Sequence, residues 1–138
     1  MNMQYQHRIA LVEENKTTRL LLKDFLELSG YQVFCLPTDW LASSVWPKLA
    51  AIAPDLIVLD LQHPSMAGLL WLRRLRLSPW HHLPVIATSV ALSRQTQTLL
   101  HTQNVHCYLV KPFCLESLKQ SIDGQLTARA YSVCQPTR

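Results

Sequence analysis

Short apolar runs that stop abruptly at acidic residues are the feature of this chain that most restricts its fold. Residues 55–60 (DLIVLD) end on Asp60, and residues 9–12 (IALV) are followed by Glu13 and Glu14. Runs of this length without polar alternation are typical of strands buried on both faces of a parallel sheet. The carboxyl ends of such strands share the edge at which open α/β sheets bind their ligands. Three carboxylates are therefore expected together at one edge.

Carboxylates crowded in this way repel one another, so the arrangement requires a cation, a shared proton or an ion-pair partner. A third apolar run, Tyr108 to Val110, is followed directly by Lys111. We expect the Lys111 ammonium to be that partner.

Along the rest of the chain, apolar runs of strand length alternate with segments of helical periodicity, which predicts five βα units and a parallel sheet with helices on both faces. Strands are expected at about 8–13, 31–36, 55–61, 84–89 and 105–110. Helices are expected at about 16–29, 38–53, 69–77, 93–102 and from 115 to about 128. Residues 1–128 then form one domain, and 129–138 a C-terminal tail.

Two helices have more specific signals. The first is expected to end at Gly30 in a left-handed cap and to bury one face made of Leu21, Leu22, Phe25 and Leu28. The second contains Pro47, which lacks an N–H and would clash with the preceding turn, so a kinked or late-starting helix is expected. Two basic clusters, Lys16, Arg19 and Lys23 and then Arg73, Arg74 and Arg76, are interpreted as solvated helix faces.

Composition narrows the function classes. The chain of 138 residues has a formal charge of only +4, spread over several elements, which gives little support for direct nucleic-acid binding. It has no charged and apolar leader and no apolar run approaching about 20 residues, so a cytoplasmic protein without a membrane span is expected. Its four cysteines lack metal-ligand spacing, and neither a disulfide nor a cysteine metal site is expected.

The pattern as a whole resembles the receiver domain of two-component response regulators, over about residues 7–127. The resemblance rests on motifs that agree in order, spacing and strand context: Glu13-Glu14-Asn15, Asp60 at a strand end, Pro64 and Gly68 in the following loop, Ser89, and Tyr108 before Lys111-Pro112-Phe113. It implies a flavodoxin-like, doubly wound α/β fold with a five-stranded parallel sheet of order 2-1-3-4-5 and five helices.

The resemblance also implies a role for each residue. Asp60 would be the nucleophile and phosphoacceptor, and Lys111 and Ser89 would contact phosphoryl oxygens. Ser89 and Tyr108 would form a switch that couples phosphorylation to a surface change. The cofactor would be Mg²⁺ or Mn²⁺, held by oxygens of Glu13 (through water), Glu14, Asp60 and the Gln62 backbone carbonyl.

Each of these residues also has a structural interpretation. Asp60 could cap a loop, the acidic pair could be a solvated strand end near a helix N-terminus, and Lys111 could serve only as an ion-pair partner. Ser89 could be a turn residue, and Tyr108 could be only a packing residue.

Two positions depart from the family pattern at the site. Glu14 stands where the family usually has aspartate, and the added methylene moves its carboxylate about 1.5 Å farther out, which the strict octahedral geometry of Mg²⁺ tolerates poorly. Val90 stands where the family usually has Ala or Gly, and its branched side chain could narrow access to Asp60. Slow phosphorylation and slow hydrolysis are both expected.

Two main function classes follow from the resemblance. The first is a single-domain receiver that takes a phosphoryl group from a histidine kinase or phosphotransfer protein and changes its affinity for an unknown downstream protein. It would be no enzyme beyond self-catalysed phosphotransfer and autodephosphorylation, and homodimerisation is compatible with it. The alternative is a pseudo-receiver, a protein-interaction module that acts without phosphorylation.

Overall fold

The fold is a five-stranded parallel sheet between two layers of helices. The computed structural model describes residues 6–37, 44–61 and 66–134, with side chains described for all of these except 66 and 129–134. The strands are β1 (Arg8–Val12), β2 (Gln32–Cys35), β3 (Leu56–Asp60), β4 (Val85–Ser89) and β5 (Cys107–Val110), in the order β2-β1-β3-β4-β5. The helices are α1 (Lys16–Leu28), α2 (Val45–Ile52), α3 (Met66–Arg76), α4 (Arg94–Thr102) and α5 (Leu115–Cys134). The predicted fold class and strand order are confirmed.

Each face of the sheet carries its own apolar core. Alternate residues of the central strands point to opposite faces, so Ile57 and Leu59 pack with α2, α3 and α4, whereas Leu56 and Val58 pack with α1 and α5. All residues of β3 and β4 are buried, as expected of strands covered on both faces. This double burial fixes the strand register and with it the positions of the residues at the sheet edge.

The prediction for the buried face of α1 is partly wrong. Leu22 and Leu26 are buried, but Leu21 is 54% exposed and Leu28 is 89% exposed. Leucines occupy three consecutive positions from 20 to 22, so a helical stripe can be drawn through either Leu21 or Leu22, and only packing selects between them. The predicted cap at Gly30 is present, with φ of 100°.

Helix α2 starts late, as Pro47 predicted. Pro47 is the third residue of the helix, in the first turn, where its missing N–H is not required. Val45 and Leu49 are buried, and the Trp46 ring stacks on Trp71 at 6.0 Å and on Trp80 at 6.2 Å between centroids. The start of the predicted segment, 38–43, lies outside the described residues.

Two other predictions require correction. Helix α5 continues to Cys134, beyond the expected end near residue 128, so the predicted tail begins as helix. Arg76 is not on a solvated face: its guanidinium is half-buried and donates to the carbonyl oxygens of Gln103, His81 and Leu83 at 2.6–3.0 Å. Among the described residues, no helix is both long enough and apolar enough to cross a membrane.

Candidate functional site

Strand register brings the predicted site residues to one edge of the sheet. Val12 pairs with Leu59, so Glu13 follows its strand at the level of Asp60. On the other side, Asp60 pairs with Thr88. The backbone N–H of Lys111, just after β5, donates to the Ser89 carbonyl oxygen at 2.7 Å. The carboxyl ends of four strands thus lie together at one edge of the sheet, in the position where this kind of fold binds ligands.

Lys111 joins the two buried carboxylates of this pocket. Its Nζ donates to Glu13 Oε1 at 2.7 Å and lies 3.2 Å from Asp60 Oδ1. Glu13 is only 2% exposed and Asp60 only 4%. The expected ion-pair partner of the acidic residues is therefore confirmed as a contact. A folded protein tolerates buried acidic side chains of this kind only when they are paired and hydrogen-bonded.

Burial and the contacts among Glu13, Asp60 and Lys111 shift the pKa values of Glu13 and Lys111. Burial raises the pKa of Glu13, and a hydrogen bond with Asp60 raises it further, while Lys111 and the Asn15 N–H offset only part of the rise. Burial alone would lower the pKa of Lys111, but its hydrogen bonds and charge attraction to Glu13 and Asp60 outweigh burial and raise it. The ammonium is thus held in its charged form beside the carboxylate of Asp60.

The loop between β1 and α1 is held by contacts that sequence reasoning missed. Glu13 Oε2 accepts a hydrogen bond from the backbone N–H of Asn15 at 3.1 Å, and Asn15 Oδ1 caps α1 by accepting from Thr18 N at 2.9 Å. The Arg19 guanidinium donates to the carbonyl oxygens of Glu13 at 3.1 Å and Glu14 at 3.4 Å. Arg19 was assigned to a solvated face, yet its place one turn after a polar N-cap was a usable signal for a contact with the loop.

The carboxylate of Glu14 does not join the buried pair. Its side chain is exposed, and no group of three His, Cys, Asp or Glu side chains in the described part of the chain is arranged to hold a metal ion. Gln62, the fourth predicted metal ligand, lies outside the described residues. Glu13 and Asp60 supply the carboxylate oxygens that Mg²⁺ prefers, so the chemistry of the pocket fits this ion with two protein groups already in place.

The predicted switch residues make contacts with their own surroundings. Ser89 is fully buried, and its Oγ donates to the Ala91 carbonyl oxygen at 2.9 Å and accepts from Ala91 N at 3.3 Å. The Tyr108 hydroxyl donates to Gln97 Oε1 of α4 at 2.9 Å. These hydrogen bonds are made within the loop after β4 and between β5 and α4.

Val90 lines an apolar groove next to Lys111. It is 54% exposed, and it lines a cavity of about 310 Å³ with Lys111, Phe113 and, from α1, Thr18 and Leu21. The side chain is therefore at the rim of the site rather than in the core.

A parallel sheet of this order, with a lysine bridging two acids at its carboxyl edge, defines the class of flavodoxin-like receiver proteins. The family model for the response regulator receiver domain matches residues 9–123. The chain belongs to this family. Members of the family are phosphoacceptors rather than classical enzymes, they interact with histidine kinases or phosphotransfer proteins, and they generally bind Mg²⁺ at the acidic pocket.

Individual relatives agree with this assignment. The probable C4-dicarboxylate response regulator DctR of Halalkalibacterium halodurans is 30% identical over 83% of this chain and 49% of its own length. The sensor histidine kinase TmoS of Ectopseudomonas mendocina is 26% identical over 90% of this chain and 12% of its own length. The chain thus spans about half the length of the first of these relatives and about an eighth of the length of the second.

Solved structures show the same fold. The N-terminal domain of the nisin resistance regulator NsrR is 28% identical, with a TM-score of 0.73 over 88% of this chain and 99% of that one. A CheY-like receiver domain protein from Methanospirillum hungatei JF-1 has a TM-score of 0.79 at 20% identity, over 93% and 99% of the two chains.

Proposed function

We propose that this chain is a receiver that accepts a phosphoryl group on Asp60 from a histidine kinase or phosphotransfer protein. The observation that supports it best is the placement of the Lys111 ammonium, 3.2 Å from Asp60 Oδ1 and 2.7 Å from Glu13 Oε1. A carboxylate that attacks a phosphoryl group approaches a centre that is already negative, so fixed positive charge beside it is required.

In this proposal, a carboxylate oxygen of Asp60 forms the new bond to phosphorus while the bond from phosphorus to the donor nitrogen breaks. Lys111 then pairs with a phosphoryl oxygen while it keeps its hydrogen bond to Glu13, and this bond holds the ammonium at the site. Oxygens of Glu13, Glu14, Asp60 and the Gln62 backbone carbonyl would hold Mg²⁺ or Mn²⁺. When bound, this cation neutralises charge on the transferring group.

The signal would leave the pocket through the residues assigned to the switch. Ser89 Oγ would exchange the Ala91 carbonyl oxygen for a phosphoryl oxygen, and the loop after β4 would move with it. Tyr108, which donates to Gln97 of α4, would change its position in response. The surface of α4 and β5 would then differ between the two states and alter the affinity for a downstream protein or for a second copy of the chain.

A phosphorylation-independent pseudo-receiver is the second candidate, and one observation favours it. Lys111 already contacts both buried carboxylates, while Glu14 is exposed and outside the cluster. A pocket closed by its own lysine could be maintained for stability alone. In that case the chain would act by docking to a protein partner, again with no direct binding of nucleic acid or membrane.

Intact-protein mass spectrometry after incubation with acetyl phosphate tests the two candidates. The wild type should gain one phosphoryl group in the presence of Mg²⁺ and none in EDTA, and Asp60→Asn should gain none under either condition. Glu116→Gln, a change at an exposed acid on α5, is the matched control and should behave as the wild type. Identical spectra for the wild type and Asp60→Asn would favour the pseudo-receiver.

A further inference from the structure

Two exposed histidines lie against each other at the edge of the sheet opposite the acidic pocket. The ring centroids of His101, in the last turn of α4, and His106, just before β5, are 4.8 Å apart, and the ring planes are inclined by 42°. Both side chains are exposed. Phosphotransfer as proposed above uses neither residue.

The turn between the two histidines is held by buried anchors. Asn104 adopts a left-handed conformation with φ of 58°. Its N–H donates to the His101 carbonyl oxygen at 3.0 Å, and the Val105 N–H donates to the Leu100 carbonyl oxygen at 2.9 Å. This is the double hydrogen bond of a Schellman motif, and its apolar pair, Leu100 and Val105, is fully buried. The backbone therefore fixes the spacing between positions 101 and 106.

The imidazole of His101 also has a neighbour on its other side. Tyr108 follows His106 by two residues and so lies on the same side of β5. Its ring centroid is 6.1 Å from that of His101, and its hydroxyl is tethered to Gln97, one turn earlier on α4. These contacts place a tethered aromatic ring beside His101.

We propose that His101 and His106 form a binding site for a divalent transition-metal cation of the type that prefers imidazole. Two nitrogens that share a tetrahedral metal at about 2.1 Å lie roughly 3.4 Å apart, which places the ring centroids roughly 5 Å apart. The observed centroid separation of 4.8 Å leaves room for such a shared ion. Water would complete the coordination shell.

Ligand chemistry separates this site from the acidic pocket. Imidazole suits Zn²⁺, Cu²⁺ and Ni²⁺, whereas Mg²⁺ prefers carboxylate, carbonyl and water oxygens. The two sites can therefore be filled independently in one molecule. A metal at the histidine pair would connect the end of α4 to the start of β5 and would stabilise this part of the fold by mass action.

The test is a calorimetric titration of the untagged, reduced protein with NiCl₂ in excess Mg²⁺, which keeps the acidic pocket occupied. The wild type should bind one Ni²⁺, and His101→Gln and His106→Gln should each weaken that binding at least about tenfold. Mutating a residue that only hydrogen-bonds to a metal ligand already lowers metal affinity by about this factor, and removing the ligand itself should cost at least as much. His7→Gln is the matched control: His7 is also exposed and directly precedes β1, at the edge of the sheet where His106 directly precedes β5. This variant should bind as the wild type does.

NMR of the wild type gives a second readout that depends on no variant folding. Paramagnetic Ni²⁺ should broaden the ring resonances of His101 and His106 before those of any other histidine. The proposal is overturned if the wild type does not bind Ni²⁺, if both histidine variants keep the wild-type affinity, if only one of them matters, or if broadening begins at another histidine.

Discussion

The balance of charge around Lys111 decides both the stability and the chemistry of the pocket. One ammonium serves two buried carboxylates, so one negative charge is in excess. The raised pKa of Glu13 reports this excess: burial, followed by the hydrogen bond with Asp60, favours the protonated form of Glu13. The folded protein therefore holds this proton more tightly than the unfolded chain does.

This difference gives the metal-free protein a predictable pH dependence. Because the pKa of Glu13 in the folded state is raised above its ordinary value of 4.5, the stabilisation is complete below pH 4.5 and is lost as pH rises through the folded-state pKa. Glu13→Gln removes this titration. Urea unfolding in EDTA should show the free energy of unfolding of the wild type falling relative to Glu13→Gln across that window. A constant difference at every pH would contradict the assignment.

The longer side chain at position 14 is expected to limit Mg²⁺ affinity. Its carboxylate must reach an octahedral shell that tolerates little displacement, and the Glu14 side chain is exposed. Glu14→Asp should tighten Mg²⁺ binding by about tenfold, or about 1.4 kcal/mol, in a calorimetric titration. Glu14→Gln, which keeps the length but loses the charge, should weaken it. Unchanged or weaker affinity for Glu14→Asp would refute the geometric argument.

Val90 is expected to restrict access of water and phosphodonor to Asp60. Its side chain is half exposed and lines the groove beside Lys111, so Val90→Ala should shorten the half-lives of both phosphorylation and dephosphorylation. The free energy of unfolding should change by no more than about 0.5 kcal/mol. Leu99→Ala, at an exposed apolar position on α4, is the control. Equal half-lives for Val90→Ala and the wild type would mean that slowness comes from another source, such as Glu14.

Among the elements, α4 has a narrow apolar contact with the core. Thr96 and Leu100 are the buried residues of this helix, and its exposed side is polar except for Leu99. Its start depends on Ser93, whose Oγ accepts a hydrogen bond from Thr96 N at 3.1 Å and donates to Thr96 Oγ1 at 3.0 Å. A helix with so few anchors can shift relative to the sheet, which suits an element that is tethered to Tyr108.

Removal of the cap should therefore be measurable. Ser93→Ala should lower the free energy of unfolding by about 1 kcal/mol, the usual cost of losing an N-cap oxygen. Thr98→Ala, also on α4, is the matched control, because Thr98 is exposed and bonds only to the Arg94 carbonyl oxygen of its own helix. It should be neutral or slightly stabilising. Equal losses in urea unfolding for the two variants would show that the cap contributes nothing specific.

The ends of a helix can be predicted where a single residue determines them, whereas its buried face depends on contacts with other elements. The late start of α2 is one of the two outcomes that Pro47 predicts, the other being a kink, and the end of α1 follows from Gly30 alone. The buried face of α1 could not be read from consecutive leucines, since only contact with β1 and α5 selects Leu22 over Leu21. The roles of Arg19 and Arg76 were missed because a charge cluster on a helix gives no sign of nearby carbonyl groups on other segments.

For the whole molecule, the parallel sheet and the contact of Lys111 with Glu13 and Asp60 could be predicted because strand ends are marked directly by apolar runs that stop on charges. The strand order was implied by the resemblance to receiver domains. The positions of Glu14 and of the Ser89 and Tyr108 hydroxyls depend on side-chain rotamers, which no periodicity encodes. The metal, phosphoryl and switch roles of these residues remain predictions, and the phosphoryl and switch roles depend on phosphorylation of Asp60.

Chemical mapping of the phosphorylated position tests that central claim most directly. After treatment with acetyl phosphate and Mg²⁺, borohydride reduction converts an aspartyl phosphate to homoserine, which peptide mass spectrometry locates in the sequence. The account predicts homoserine at position 60 in the wild type and at no position in Asp60→Asn. Homoserine at another aspartate, or none in the wild type, would contradict it.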